Sequence, residues 1–197
     1  IKPHVYALEK LGVNIKVTNR GYIVESGKKK SGDIALYESG DTVTENAIMV
    51  ASLTSGQTKI KFASANYQVQ DLCHFLISLG VHISGVGTTT LIIRGLERID
   101  KPITYFVTED PIDSMFFIAA AAVTKSAIVI KGCPIDFLEL ELLRLEKMGF
   151  RYRILRKYKA LNGLTDLIDI KTSPSKLVAL EEKIEARPYP GLNIDNL

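Results

Sequence analysis

The sequence has 197 residues, of which 46% are apolar and 24% are charged, and its formal net charge at pH 7 is +3. These proportions are typical of a globular protein with a substantial core. The one run of basic residues, 28–30, lies in a predicted turn, and no apolar run is long enough to span a membrane, so we expect neither a nucleic-acid partner nor a membrane segment.

The two cysteines, Cys73 and Cys133, lie inside apolar runs. This predicts buried free thiols in a reducing compartment, and hence a cytoplasmic protein. His74 and His82 have no partner at the spacing of metal ligands, so we expect neither a metal site nor a cofactor.

The chain begins at Ile1 immediately before a predicted helix and ends where another helix is about to begin. We therefore expect an interior piece of a longer polypeptide, whose other units would be its structural partners. Residues 3–24 are predicted to form the last half of one repeating unit.

Three segments end a helix on a glycine and then enter a strand. The glycines are Gly12, Gly80 and Gly149, which lie 68 and 69 residues apart. Only glycine enters the left-handed region of backbone conformation cheaply, so each glycine is predicted to follow the last turn of a helix. A pattern repeated at this period indicates a fold built from copies of one unit.

The first complete unit, residues 31–99, has the predicted order β-α-β-α-β-β. Asp41 or Thr44 is predicted to cap its first helix, and Ser64 or Asn66 its second. The predicted elements are strand 33–37, helix 44–53, strand 58–62, helix 69–79, and a hairpin of strands 81–84 and 91–94.

The second period, residues 103–170, repeats this order, and a third unit starts at about residue 176. The predicted elements of the second period are strand 104–107, a helix from Pro111, strand 128–131, helix 134–147, and strands 150–155 and 167–170. The change in composition at residues 100–102 predicts a boundary between domains 1–101 and 102–197.

Tandem units of this kind resemble the enolpyruvyl transferase family. The resemblance implies an α/β fold, an inside-out barrel in which helices lie inside, sheets lie outside, and three units form each of two domains. Residues 1–101 would be the second half of one domain and 102–197 the first part of the other. The matching stretches occur in family order: 2–3 with 8–12, 44–46 with 48–49, 71–72 with 75–76, 79–88, 117–121, and 188–191 with Asp195.

The resemblance implies transfer of an enolpyruvyl group from phosphoenolpyruvate to the 3-hydroxyl of UDP-N-acetylglucosamine, with release of phosphate, in peptidoglycan precursor synthesis. A loop cysteine or aspartate, which would precede residue 1, protonates the methylene carbon. The carboxylate that takes the sugar hydroxyl proton aligns with Asp195, and a carboxylate at the start of a helix is stabilised as the anion. The 197 residues alone are expected to be inactive, because the family's site lies between the two domains.

The family's substrate-binding stretch matches Lys2, Pro3, His4, Val5 and Tyr6. Proline in a first helical turn beside a cation suits an anion site, because the backbone N–H groups and the helix dipole favour negative charge. The family has an arginine at Lys2, and lysine cannot make the same bidentate contact. The family's uridine-side acid is replaced by Val5.

The family's diphosphate-binding Ser-Val-Gly loop matches Gly40, Asp41 and Thr42. A carboxylate beside a diphosphate would repel it, so we expect Asp41 to cap the following helix instead. The family's Arg-Glu-Pro-Glu turn is replaced by residues 65–68. These departures indicate a divergent member of the family. Its nucleotide recognition, or even its activity, could differ from that of the other members.

Other readings remain open at the level of the sequence. A 3-phosphoshikimate transferase shares the fold, and a non-catalytic or re-specified homologue would explain the departures at Lys2, Val5 and Asp41. An RNA 3′-phosphate cyclase has related units, but it should carry a nucleotidylated histidine in a late motif, which the sequence lacks.

Overall fold

The computed structural model of the chain describes residues 1–192. The chain divides into two compact units, Ile1–Thr104 and Tyr105–Leu197, which we call the first lobe and the second lobe. The assignment of each lobe to a three-unit domain stays a prediction. Among residues 1–192, no helix is both long enough and apolar enough to cross a membrane.

The first lobe begins with a helix and a hairpin. Helix α1 spans Lys2–Lys10, and strands β1, Val13–Thr18, and β2, Gly21–Ser26, pair antiparallel. Gly12 joins the helix to the hairpin with φ +93°, and a Cβ atom there would collide with the carbonyl oxygen of Lys28. Glycine is therefore required at this position both by conformation and by space.

The rest of the first lobe is one complete unit, and its order β-α-β-α-β-β confirms the prediction. Its elements are β3 (Asp33–Ala35), α2 (Asp41–Ser52), β4 (Gly56–Lys61), α3 (Tyr67–Ser78), β5 (His82–Ser84) and β6 (Thr90–Gly95). The sheet order is β3-β4-β6-β5, with β3 parallel to β4 and the other pairs antiparallel.

The core of the first lobe lies between these helices and one face of the sheet. Ala47 and Ala51 on α2 are fully buried, as are Ile60 on β4 and Ile93 on β6. The small side chains of α2 let the helix approach the sheet closely, and burial of the isoleucines contributes hydrophobic stabilisation.

The second lobe repeats this arrangement without the first strand. Its elements are α4 (Pro111–Thr124), β7 (Val129–Pro134), the short 3-10 helix Ile135–Phe137, α5 (Glu139–Lys147), β8 (Arg151–Lys159) and β9 (Asp166–Ser173). The sheet order β7-β9-β8 corresponds to β4-β6-β5 of the first lobe. The mixed α/β class is as predicted, whereas the inside-out barrel stays a prediction.

Two predicted elements of the second lobe are wrong. Residues 104–107 form no strand, and the segment is anchored instead by the Thr108 hydroxyl, 2.7 Å from that of Thr165. The helix predicted over 134–147 becomes a 3-10 turn followed by α5, because Pro134 still pairs with Leu167 as the last residue of β7.

Strand β9 is flanked by an irregularity on each side. The register shifts between Ile130 and Cys133 on β7 and between Ile154 and Arg156 on β8. Asp169 lies at this position of β9, where its Oδ1 atom accepts hydrogen bonds from the Gly132 amide at 3.0 Å and the Tyr158 hydroxyl at 2.8 Å. The carboxylate thus satisfies a backbone donor that the sheet ladder leaves over, as is common at β-bulges.

Candidate functional site

Two of the predicted substrate-binding stretches lie together in the first lobe, because α1 packs on α2. The imidazole of His4 joins them: Nδ1 is 2.9 Å from Nδ2 of Asn46, and Nε2 is 3.5 Å from the hydroxyl of Thr42. An amide N–H of Asn46 donates to Nδ1, so the ring proton lies on Nε2, which faces Thr42. His4 therefore holds the start of α1 against the first turns of α2.

The other residues of the first stretch differ in their surroundings. Tyr6 meets Tyr37 edge to face, with ring centroids 5.2 Å apart, and the Lys10 ammonium lies 5.5 Å from the Tyr6 ring centroid. Pro3 and Val5 are half-buried in the first turn of α1, whereas Lys2 is exposed. Lys2 is thus the member of the stretch with a charge open to a ligand.

The second stretch forms the start of α2. Gly40 is its N-cap, with φ −87° and ψ 147°, and within residues 1–192 no side chain caps the helix by a hydrogen bond. The prediction that Asp41 or Thr44 caps α2 is therefore wrong, because Asp41 already lies inside the first turn. The Thr44 hydroxyl donates to the Gly40 carbonyl at 2.8 Å and accepts from the Ser64 amide at 3.0 Å.

The carboxylate of Asp41 turns toward the start of α3. Ser64 Oγ donates to Oδ1, and Asn66 Nδ2 donates to Oδ2 at 2.9 Å. Asn66 also caps α3, as predicted, because its Oδ1 atom accepts from the Tyr67 amide at 2.9 Å. Asp41 therefore bridges the N-termini of two helices.

Two further acidic side chains lie near the start of α2. A Cβ atom on Gly40 would be 3.0 Å from Oε1 of Glu38. Glu45 follows Asp41 by one helical turn, and its pKa is raised, mainly by burial and also by the charge of Asp41. We call Glu38, Asp41 and Glu45 the acidic corner.

The predicted catalytic base, Asp195, lies outside the described residues. The segment that leads toward it is closed into a turn, because the Arg187 amide donates to the Leu192 carbonyl at 2.8 Å. The ring of Tyr189 packs on that of Phe137, with centroids 5.3 Å apart. Burial, followed by the charge of Asp136, raises the pKa of Tyr189.

Sequence reasoning missed the partners of the predicted residues. Asn46 belongs to a stretch that matches the family, so the sequence indicated this residue. Nothing in the sequence indicated its hydrogen bond with His4. Ser64 and Asn66 were predicted as helix caps, whereas their hydrogen bonds to Asp41 span 23 and 25 residues. Among residues 1–192, no group of three or more His, Cys, Asp or Glu side chains is arranged to hold a metal ion.

The whole chain, residues 1–197, matches the family model described as EPSP synthase (3-phosphoshikimate 1-carboxyvinyltransferase). Among curated proteins it is similar to the UDP-N-acetylglucosamine 1-carboxyvinyltransferase of Thermodesulfovibrio yellowstonii, with 30% identity over 98% of this chain and 43% of that protein. The enzyme of the same name from Hydrogenovibrio crunogenus is 35% identical over 98% of this chain and 43% of its own length. The chain thus spans less than half the length of these relatives.

Two solved structures have similar folds. The enolpyruvyl transferase NikO from Streptomyces tendae superposes with a TM-score of 0.74 at 18% identity, covering 99% of this chain and 46% of that one. EPSP synthase from Acinetobacter baumannii superposes with a TM-score of 0.70 at 18% identity, covering 91% of this chain and 41% of that one. At this identity the likeness concerns the fold alone.

Proposed function

This chain belongs to the EPSP synthase family of carboxyvinyl transferases, and we propose that the full protein transfers enolpyruvate from phosphoenolpyruvate to the 3-hydroxyl of UDP-N-acetylglucosamine, releasing phosphate. Its place would be the cytoplasmic synthesis of peptidoglycan precursors. The carrying observation is the similarity over 98% of the chain to two proteins named for this activity.

The geometry of the first lobe supports the proposal. The stretches expected to bind substrate come from two separate parts of the sequence, and His4 and Thr42 are adjacent in the fold. The first turns of α1 and α2 carry backbone N–H groups that an anionic ligand can use. Lys2 adds an exposed cation at the start of α1.

The proposed chemistry is addition followed by elimination. Asp195 takes the proton of the sugar hydroxyl, whose oxygen forms a bond to C2 of phosphoenolpyruvate while a general acid protonates the C3 methylene. Loss of the C3 proton and cleavage of the C2–O bond to phosphate then release the product and inorganic phosphate. The general acid would come from a part of the relatives' length that this chain does not span.

A second candidate acceptor is 3-phosphoshikimate, which the description of the family model names. This acceptor carries no nucleoside diphosphate, so it would not need the start of α2 to bind one; its own phosphate and carboxylate would have to lie away from the acidic corner. A re-specified or non-catalytic homologue is the third reading, motivated by Lys2, Val5 and Asp41.

The test is calorimetric titration of UDP-N-acetylglucosamine into the full-length protein, with and without phosphoenolpyruvate, while phosphate release is followed. Binding with turnover is the expected result. If phosphate is released from phosphoenolpyruvate with 3-phosphoshikimate but not with UDP-N-acetylglucosamine, then 3-phosphoshikimate is the acceptor. Binding of UDP-N-acetylglucosamine without turnover would favour a non-catalytic homologue. The isolated 197 residues should release no phosphate.

Lys2 offers a matched test of the anion site. Lys2→Arg should tighten substrate binding in the full-length protein, because the guanidinium can make two parallel hydrogen bonds to a phosphate or carboxylate. Lys10→Arg, in the last turn of the same helix, is the control and should leave affinity unchanged. Equal effects of the two substitutions would argue against an anion at the start of α1.

A further inference from the structure

Helices α2 and α3 begin close to each other, and one carboxylate connects their first turns. Asp41 is the first residue of α2, and its two oxygens accept hydrogen bonds from Ser64 and Asn66, which immediately precede α3. Each helix N-terminus carries a partial positive charge that attracts anions. In this protein the anion at that position is part of the chain itself.

The hydrogen bonds to Asp41 are held in place by a buried network. Ser64 is 3% exposed and Asn66 is 9% exposed. The backbone amide of Asn66 donates to Ser64 Oγ, and the backbone amide of Ser64 donates to the Thr44 hydroxyl. Both residues that donate to Asp41 are therefore held in place. These two donors are neutral groups, so they bring no compensating positive charge to the carboxylate.

The neighbouring charges have the same sign. Glu38 lies beside Gly40 and Glu45 lies one turn beyond Asp41, which completes the acidic corner. A ligand phosphate at the start of α2 would meet this negative potential in addition to the favourable helix dipole. The repulsion from these carboxylates opposes the attraction of the helix dipole.

We propose that Asp41 acts as an internal anion at the start of α2, which lowers the affinity of the protein for ligands that carry a diphosphate. Asp41 is then a specificity-determining residue, because it penalises a nucleoside diphosphate more than a nucleoside without phosphate. The proposal rests on the proposed function, and it takes the diphosphate of UDP-N-acetylglucosamine to bind at Gly40, Asp41 and Thr42, as the family resemblance implies.

The test compares the full-length protein with its Asp41→Asn variant, using UDP and uridine as the two probes in calorimetry. Removal of the charge should tighten UDP binding roughly two- to fivefold, the typical effect of one charge at a helix terminus, and should leave uridine binding unchanged. The gain should shrink as salt is added, because salt screens the repulsion. A merely structural role would change both affinities alike and would not depend on salt.

Glu25→Gln is the matched control, because it removes one carboxylate from the exposed strand β2 of the same lobe. It should change neither affinity. If Asp41→Asn does not fold, Glu45→Gln removes one charge from the same corner and should shift UDP affinity in the same direction. Thermal unfolding of each variant identifies those that fold.

Equal UDP affinity of wild type and Asp41→Asn would overturn the proposal. Failure of both proteins to bind UDP would also overturn it, since removal of the carboxylate would then create no affinity. Phosphate release from phosphoenolpyruvate and UDP-N-acetylglucosamine separates the two claims. Tighter UDP binding without turnover would uphold the role of Asp41 and reject the proposed function, whereas turnover with unchanged affinity would do the reverse.

Discussion

The sheets of the two lobes share three strand positions, and they differ at a fourth. Strands β4, β6 and β5 of the first lobe correspond to β7, β9 and β8 of the second. The first lobe adds β3 in parallel to β4, where it buries Ile34. The corresponding residues before α4, 104–107, pair with no strand among the described residues, and Phe106 and Val107 are exposed.

This difference separates the essential part of the repeat from an optional part. The helix, the glycine after it and the antiparallel strands recur in both lobes, with a buried cluster beneath each sheet. The parallel edge strand enlarges the core where it is present, but the second lobe forms its sheet without it. The repeat is therefore held together by its antiparallel strands and helices.

The largest expected effect on stability comes from removing one core side chain from a central strand of each sheet. Ile93→Ala on β6 and Ile170→Ala on β9 each delete a side chain that is 0% exposed. Each should lower the free energy of unfolding by about 2–5 kcal/mol, from lost burial and the cavity that remains. Chemical denaturation, with hydrogen exchange to assign the lobe affected, measures both. A negligible cost at Ile170 would mean that the second core is loosely packed.

A second test uses the three recurrent glycines, all of which have positive φ: +93° at Gly12, +100° at Gly80 and +96° at Gly149. Substitution by alanine should cost about 1–2 kcal/mol from conformation alone. At Gly80 the new Cβ atom has room, at Gly149 it lies 3.0 Å from the Lys176 carbonyl oxygen, and at Gly12 it collides with that of Lys28.

The expected order of destabilisation is therefore Gly12→Ala, then Gly149→Ala, then Gly80→Ala, measured by thermal unfolding. Gly163→Ala is the control, since it has φ +72° but nothing within 4 Å of the new atom. Equal losses at all four positions would show that conformation alone sets the cost.

A third test compares the helix caps. Asn66 caps α3 in the first lobe, and Asp110 caps α4 in the second by accepting from the Ile112 amide at 2.8 Å. Either residue changed to alanine should cost about 1 kcal/mol. Asn66→Ala should cost more than Asp110→Ala, because it also removes a donor to Asp41. The reverse order, in equilibrium denaturation, would contradict the bridging role of Asn66.

The smallest expected effects are on the stability of the protein in acid. The two lobes should lose stability in different pH ranges. Burial lowers the pKa of His74 in the first lobe below its ordinary 6.5, although Asp71 opposes the shift, so the folded state favours the neutral ring. Its stabilising contribution is complete above pH 6.5 and falls as the pH drops through the folded value. His74→Gln should remove this pH dependence from unfolding curves.

Asp169 in the second lobe should respond only in stronger acid. Burial acts to raise its pKa, but hydrogen bonds from Gly132 and Tyr158 and the charge of Arg156 bring it below its ordinary 3.8. Its contribution is complete above pH 3.8 and is lost as the pH falls through the lower folded value. Loss of second-lobe protection at higher pH than first-lobe protection would contradict this ordering.

Helix periodicity and the glycine positions predicted most of the fold, because both are local signals. The Thr104–Val107 prediction failed because alternation of side chains does not determine whether a partner strand is available. The start of α5 was predicted too early because the pairing of Pro134 with Leu167 depends on residues 33 apart in sequence.

The candidate site was harder to predict than the fold. The family resemblance identified His4, Thr42 and Asp41 as candidate site residues. It did not identify the contact of His4 with Asn46, which joins residues 42 positions apart. Periodicity carries no information about such contacts. The cap at Gly40 was missed because sequence preference favours side chains that can accept a hydrogen bond, and Gly40 has none.

The β1–β2 hairpin has a consequence for the dynamics of the first lobe. Its six residue pairs are in regular register, yet every residue of β2 is exposed, including Tyr22, Ile23 and Val24. A two-stranded hairpin with so little burial is marginally stable. Its amides should exchange with deuterium through local opening, with little dependence on denaturant, while those of β4 and β6 exchange only when the whole lobe unfolds.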